Sequence, residues 1–466
     1  MNIAVELYTD DEVIPKSEER QWGDVSFGRQ VVIVGAGPAG LFAALRLIER
    51  GVCPVIVERG RQVSARKRDI AALNRNLRLD ADSNYCFGEG GAGTFSDGKL
   101  FTRSKKRGDY RKILEILHQH GAADEILFES HPHIGTDKLP RIITAIRTTI
   151  ETAGGKVLTG CRATSLIRDR GGAVRGVETS AGERIEGEAV ILATGHSARD
   201  VYKMLHREGV LLQAKPFAMG VRVEHPQELI DRIQYKTARG PWLPAAAYSL
   251  TVQAQGRGVY SFCMCPGGFI VPAATDEGQS VVNGMSPSGR NSHFANSGIV
   301  TEVRLDDVAP YMEEHGVLAG LHYQSLLERS AFEAASGGVS APAQRLTDFI
   351  KGKASQSLPE CSFNPGITPS VMREWMPESI YSPLAEGFKM FDSKMRGFVT
   401  QDAVVVGVES RTSSPVRIPR DADTLEHPAT KGLYPAGEGA GYAGGILSAA
   451  MDGERVADAV AGAMGL

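Results

Sequence analysis

The chain has 466 residues, a formal net charge of −3, 42% hydrophobic and 23% charged residues. That balance suits a globular protein with a sizeable core, expected to divide into two joined domains. It gives no electrostatic reason for a nucleic-acid or anionic-membrane partner, no run reaches the ~18 apolar residues needed to span a bilayer, and six cysteines do not suggest a disulfide framework.

Residues 1–28 are polar and acidic, with no apolar export segment, so they read as an N-terminal extension of a cytoplasmic protein. From Gln30 to Glu58, QVVIVGAGPAGLFAALRLIERGVCPVIVE reads as a buried strand, a glycine turn, a helix and a second buried strand ending in an acid. That order suits the ADP half of a dinucleotide. Gly35 permits the sharp turn, Gly37 lets the backbone approach a pyrophosphate, and Gly40 lets the helix pack closely on the sheet. Pro38 and Ala39 open the helix, whose free N–H groups and dipole favour phosphate. Glu58 sits where a carboxylate accepts hydrogen bonds from an adenosine ribose. Arg59 and Arg66 follow as further candidate contacts. The competing reading is a glycine-rich βαβ corner with no ligand.

A basic helical stretch then leads into the glycine-dense loop CFGEGGAGTFSDGKLF. Gly93 to Leu100 nearly spells a P-loop, but Leu100 has no hydroxyl for magnesium and no hydrophobic strand precedes it, which argues against an ATPase. The loop reads instead as backbone cradling the cofactor, with Gly91, Gly93 and Thr94 as contacts. Lys99 is either a cation beside the reactive ring edge or a surface lysine after a turn. A helix over about 137–153 and a strand over 156–159 follow, then an antiparallel meander returning through Ala189–Ala193 into Thr194 and Gly195. Ala193, Thr194 and Gly195 are candidate cofactor contacts.

Residues 215–396 mix strand-like and helical pieces, as expected of an inserted mixed α/β substrate domain between two parts of one cofactor domain, 29–214 and 397–466. Cys263 and Cys265 lie at alternate positions of a strand, pointing the same way. They are too few for a zinc or iron–sulfur site; the choices are buried apolar cysteines or a lining beside the cofactor. Cys86 has no second cysteine within ten residues, which argues against dithiol chemistry there. No metal ligand is assigned; His118/His120 and His131/His133 are not at i,i+4 metal spacing, and His293 is either an acid–base residue or a surface histidine. In Glu409–Arg417, Arg411 suits a substrate carboxylate by bidentate pairing, or an ion-pair cluster joining the domains. Finally, Leu433–Ala436 turns through Gly437 and Glu438 into a helix of small residues beginning near Gly445 and Ile446, a second phosphate-facing or ring-facing N-terminus.

GAGPAG with Glu58, Ala193-Thr194-Gly195 and PAGEGAGYAGG together resemble the FAD-dependent oxidoreductases related to glutathione reductase and the aromatic hydroxylases. More narrowly, NYCFGEGGAGTFSDGKLFTR, ILATGHSARD, YSFCMCPGG and GVESRTSSPVRI are similar to a poorly characterised bacterial family of FAD-dependent dehydrogenases. The resemblance implies an α/β fold: a Rossmann-like FAD-binding domain, with a central parallel sheet and an antiparallel meander, plus the inserted domain. It implies non-covalent FAD, with Glu438 at the ribityl hydroxyls where Asp is commoner, and hydride or electron transfer with a small, possibly anionic, substrate. No second G-x-G-x-x-G follows a strand, so either the substrate itself reduces FAD or NAD(P)H docks transiently without its own fold, and oxygen, a quinone or a carrier protein would reoxidise the flavin. Open alternatives are an NAD(P)H-using monooxygenase or ene-reductase, and a redox-sensing or carrier-binding flavoprotein that turns over no metabolite.

Overall fold

The computed structural model describes residues 19–76, 78–102, 108–337 and 340–466, with only the backbone of Asn76; most of the N-terminal extension lies outside them. The run Gln30–Glu58 folds as its pattern requires. Strand β1 (Gln30–Val34), helix α1 (Pro38–Glu49) and strand β2 (Cys53–Glu58) form a parallel βαβ unit in which Val32 pairs with Val55. Strands Lys156–Thr159, Val190–Leu192 and Leu433–Pro435 complete a five-stranded parallel sheet, with β1 in the middle. A sheet covered on both faces needs near-continuous apolar strands, which is why these strands lack polar alternation. Alternate residues of β1 serve opposite cores. Val31 and Ile33 face α1, Leu139–Thr152 and the final helix Ile446–Ala463, while Val32 and Val34 face the meander and helix Arg199–Arg207.

Glycines set how closely these layers approach. A Cβ on Gly40 would lie 1.9 Å from the Gly35 carbonyl oxygen, and one on Gly453 would lie 2.1 Å from that of Ala39. Helix α1 is therefore pressed between its own turn and the final helix, and the N-termini of both helices converge on one place.

The second domain is built on a seven-stranded sheet. Its long central strands, Phe217–Pro226 and Phe294–Val303, pair antiparallel from end to end. Helices Gln227–Tyr235 and Glu378–Lys394 help to enclose its main core. One expectation needs correction. The segment 397–466 does not return directly to the cofactor domain, because Val404–Glu409 pairs with Phe217–Pro226 inside the second sheet. Its apolar run resembles a Rossmann strand because it is buried on both faces of a different sheet. The crossing back comes at Val416–Arg417, which pairs with Gln213–Ala214 in a short ribbon.

Candidate functional site

A cavity of about 410 Å³ opens along the seam between the two sheets. Its first wall is the start of α1. Gly37 is the N-cap, no side chain caps it, and Pro38 occupies the first turn. The first-turn N–H groups thus have no intrahelical acceptor. A Cβ on Gly37 would find its nearest atom, the Cα of Gly91, 3.9 Å away, and one on Gly91 would lie 3.0 Å from the Gly37 Cα. Two bare backbone segments face one another there, as close approach to a phosphate requires.

Glu58 fixes this wall. Its buried carboxylate accepts N–H groups from Ala36, Gly60 and Gly88, each at 2.9 Å, so one side chain ties three turns together. Arg59 stacks on Phe87 at 4.2 Å and pairs with Asp82 at 2.7 Å and Asp200 at 2.8 Å. The opposite wall comes from Ala193, Thr194 and Gly195, and from the turn before the final helix, Gly437, Glu438, Gly445 and Ile446. Cβ atoms on Gly195, Gly444 and Gly445 would meet no described atom within 4 Å. Asp452 braces the turn, accepting the Gly437 N–H at 2.8 Å and pairing with Arg420. Glu438 accepts the Gly445 N–H and lies 3.6 Å from His196, whose imidazole is held below its ordinary pKa by burial.

Gly35, Gly37, Pro38, Ala39, Glu58, Arg59, Gly91, Gly93, Lys99 and Arg411 all line the same cavity as the residues of that second wall. Three sequence candidates stand outside the lining. Gly40 is used for helix packing. Arg66 is fully buried and donates to the carbonyls of Asn84, Tyr85, Gly88, Glu89 and Gly91, so it shapes the glycine loop from behind. Burial lowers its pKa to about 10, against the opposing pull of Glu58 and its neighbours. Thr94 donates to the Glu89 carbonyl at 2.9 Å within the same loop. Both hold the loop that lines the cavity, and nothing in their spacing distinguished that role from direct contact.

The inner end is charged. Lys99 donates to the Met264 carbonyl across the seam and lies 3.5 Å from Asp97, itself paired with Arg290 at 2.7 Å. Burial pulls the Lys99 ammonium down, but Cys265, Cys263 and Asp97 outweigh it and hold it above its ordinary value. Arg411 and Arg199 share the buried carboxylate of Glu328. Burial pushes Glu328 up, yet the two guanidiniums prevail and bring it to about 2. Arg199 therefore ties the first domain to Glu328 of the second, while Arg411 braces the same carboxylate from within the second domain and lines the cavity. The sequence reading missed Arg199, Glu328 and the buried pair Arg222–Glu409, at 2.7 Å. No spacing rule links residues so far apart in the chain.

Against known proteins, residues 29–78 match an FAD-binding domain, residues 138–280 match FAD-dependent oxidoreductases, and residues 216–412 match the C-terminal-domain-like model of FAD-dependent proteins. An uncharacterized protein of Clostridium beijerinckii is 44% identical over 454 residues, covering 96% of this chain and 83% of its own. The chain belongs to the FAD-dependent oxidoreductase family. It is an enzyme, and its cofactor is FAD. Solved structures with a similar course include the flavin-dependent brominase Bmp2, 11% identical with a TM-score of 0.41, covering 94% of this chain and 80% of its own. Glycine oxidase from Geobacillus kaustophilus is 15% identical with a TM-score of 0.40, covering 93% of this chain and 95% of its own. No helix among the described residues is long and apolar enough to cross a membrane.

The residues present fit FAD. The cavity offers bare glycine backbone and the open N-termini of two helices, which suit an anionic pyrophosphate, and a carboxylate at the end of β2.

Proposed function

We propose that this oxidoreductase is a dehydrogenase that passes hydride or electrons between a small anionic organic substrate and FAD. One observation carries the reading. A single cavity joins the dinucleotide-type wall to a cation-bearing inner end, and the second domain closes that end. FAD supplies the two-electron chemistry.

In this reading Gly35, Gly37, Pro38 and Ala39 hold the pyrophosphate against the start of α1, with Gly91 and Gly93 opposite. Glu58 and Arg59 sit at the adenosine ribose. Ala193, Thr194, Gly195, Gly437, Glu438, Gly445 and Ile446 support the ribityl chain and ring. Lys99, bridging the two domains, stabilises negative charge at the ring edge. Arg411 lines the cavity with Nε and Nη2 on Glu328 and Nη1 on Thr275. A carboxylate substrate would meet it there by a charge-assisted hydrogen bond. Oxygen, a quinone or a carrier protein would reoxidise the flavin, and NAD(P)H would serve as a transient donor.

The test is an anaerobic titration of the purified yellow protein with NADH, NADPH and a panel of small hydroxy, amino and unsaturated acids. Bleaching by an organic acid supports the dehydrogenase. Bleaching by nicotinamide alone moves the assignment to a monooxygenase or ene-reductase. An unchanged flavin spectrum throughout overturns it in favour of a redox sensor.

A further inference from the structure

Strand Arg257–Cys265 is irregular at its end. Phe262 pairs with Gly298 and Cys265 with Asn296, so one extra residue bulges from the strand. Cys263 has φ 46°, a left-handed conformation uncommon for any residue with a Cβ. Bulges of this kind re-aim side chains, and residues held in such conformations cluster at functional sites. Here the bulge turns Cys263 into the cavity wall beside Phe262, while Cys265 stays buried beneath it. The Cys265 thiol donates to the Cys263 carbonyl at 3.2 Å.

The surroundings are not those of inert buried cysteines. Lys99 reaches the Met264 carbonyl between them. Arg222, fully buried, approaches the Cys263 carbonyl at 3.5 Å while bound to Glu409, Asn296 and Asn283. Gly284 leaves it room, since a Cβ there would lie 2.0 Å from the guanidinium. Lys99, 3.5 Å from Asp97, and Arg222, 2.7 Å from Glu409, bring two cations toward the sulfurs. The neighbouring Cys265 thiol, with Lys99 and Arg222, outweighs burial and holds the Cys263 thiol well below its ordinary value. Cys265 is pushed the other way, first by its Cys263 neighbour and then by burial. A low-pKa thiolate beside a protonated thiol is the pairing that exchanges readily with a disulfide.

We propose that Cys263 and Cys265 form a redox-active dithiol on the second-domain wall of the FAD cavity, exchanging two electrons with the flavin. In the oxidative direction the Cys263 thiolate and the Cys265 thiol join in one S–S bond. Two electrons and the Cys265 proton pass to the oxidised ring, giving an intramolecular disulfide and anionic reduced FAD. The reverse step restores thiolate and thiol. Residues two apart on an ideal strand are ~6.6 Å apart, at the far end of the ~4.4–6.8 Å that a disulfide spans.

The experiment follows the sulfurs in the holoprotein. The protein is equilibrated anaerobically across glutathione redox buffers, quenched in acid, denatured, alkylated and peptide-mapped. The expected result is a Cys263–Cys265 disulfide under oxidising conditions that disappears once the flavin is photoreduced. Reductive titration of the fully oxidised protein should then consume about twice the electron equivalents needed by Cys263→Ser or Cys265→Ser, each with flavin content checked spectrally. Free thiols at both positions under every condition would overturn the proposal. Equal electron uptake by wild type and Cys265→Ser at full flavin occupancy would do the same. Neither outcome depends on the identity of the organic substrate.

Discussion

Gly37→Ala separates cofactor binding from folding. A methyl group at Gly37 meets its nearest protein atom at 3.9 Å, an ordinary contact, and the residue's φ of −77° is open to any side chain. The cost to the fold is that of replacing glycine at an N-cap, about 1 kcal/mol. The same methyl projects into the gap before Gly91, where the first-turn N–H groups of α1 await the pyrophosphate. Losing two charge-assisted hydrogen bonds there, each worth about 1.5 kcal/mol at the low end, removes about 3 kcal/mol of binding, close to a 100-fold weaker Kd. Gly40→Ala is the control. Its Cβ would sit 1.9 Å from the Gly35 carbonyl oxygen, so α1 must move bodily, at a cost of about 3 kcal/mol or more in stability. The assay measures visible flavin absorbance per protein after ultrafiltration, alongside thermal unfolding of the apoprotein. Gly37→Ala should emerge nearly colourless with an apoprotein midpoint close to wild type, and Gly40→Ala should lose both flavin and stability. Wild-type flavin retention in Gly37→Ala would refute the placement of the pyrophosphate at α1.

Three further outcomes follow from the same geometry. Arg411→Ala leaves Arg199 on Glu328 at 2.7 Å, so the chain should keep its flavin while substrate-driven bleaching slows about 10-fold or more; unaltered bleaching kinetics would return Arg411 to a structural role alone. Arg66→Lys keeps the charge but loses the planar fork that spans five carbonyls, and should cost about 3 kcal/mol of stability, with faster proteolysis around residues 84–91; an unchanged unfolding midpoint would contradict that scaffold role. Burial raises Glu224 to about 7 against the hydrogen bonds from Ser362. A carboxyl raised in the folded state gives stability that is full below its unfolded value near 4.5 and lost as pH climbs through about 7. Glu224→Gln should therefore flatten the decline between pH 5 and 8 seen by chemical denaturation, and an identical pH profile in the variant would exclude the effect.

Local pattern determined a great deal here. The glycines after β1 and the acid closing β2 carry their own backbone requirements within thirty residues, so GAGPAG and Glu58 announce a phosphate-facing helix without tertiary information. The turn before the final helix is legible for the same reason: Gly445, at φ 130°, occupies backbone space rarely open to other residues. Tertiary structure decided what local pattern leaves degenerate. A doubly buried strand reads alike in either sheet, so only pairing with Phe217–Pro226 places Val404–Glu409 in the second domain. Arg66 and Arg59 have the same chemistry and lie seven residues apart; burial against five carbonyls sends one behind the loop, while Asp82 and Phe87 hold the other at the cavity. The sharing of Glu328 by Arg199 and Arg411, and the gathering of Lys99 and Arg222 around Cys263, arise because two domains close on one seam. Charges distant in sequence become neighbours there, in a medium where Coulomb forces are strong, and no periodicity in the chain encodes that meeting.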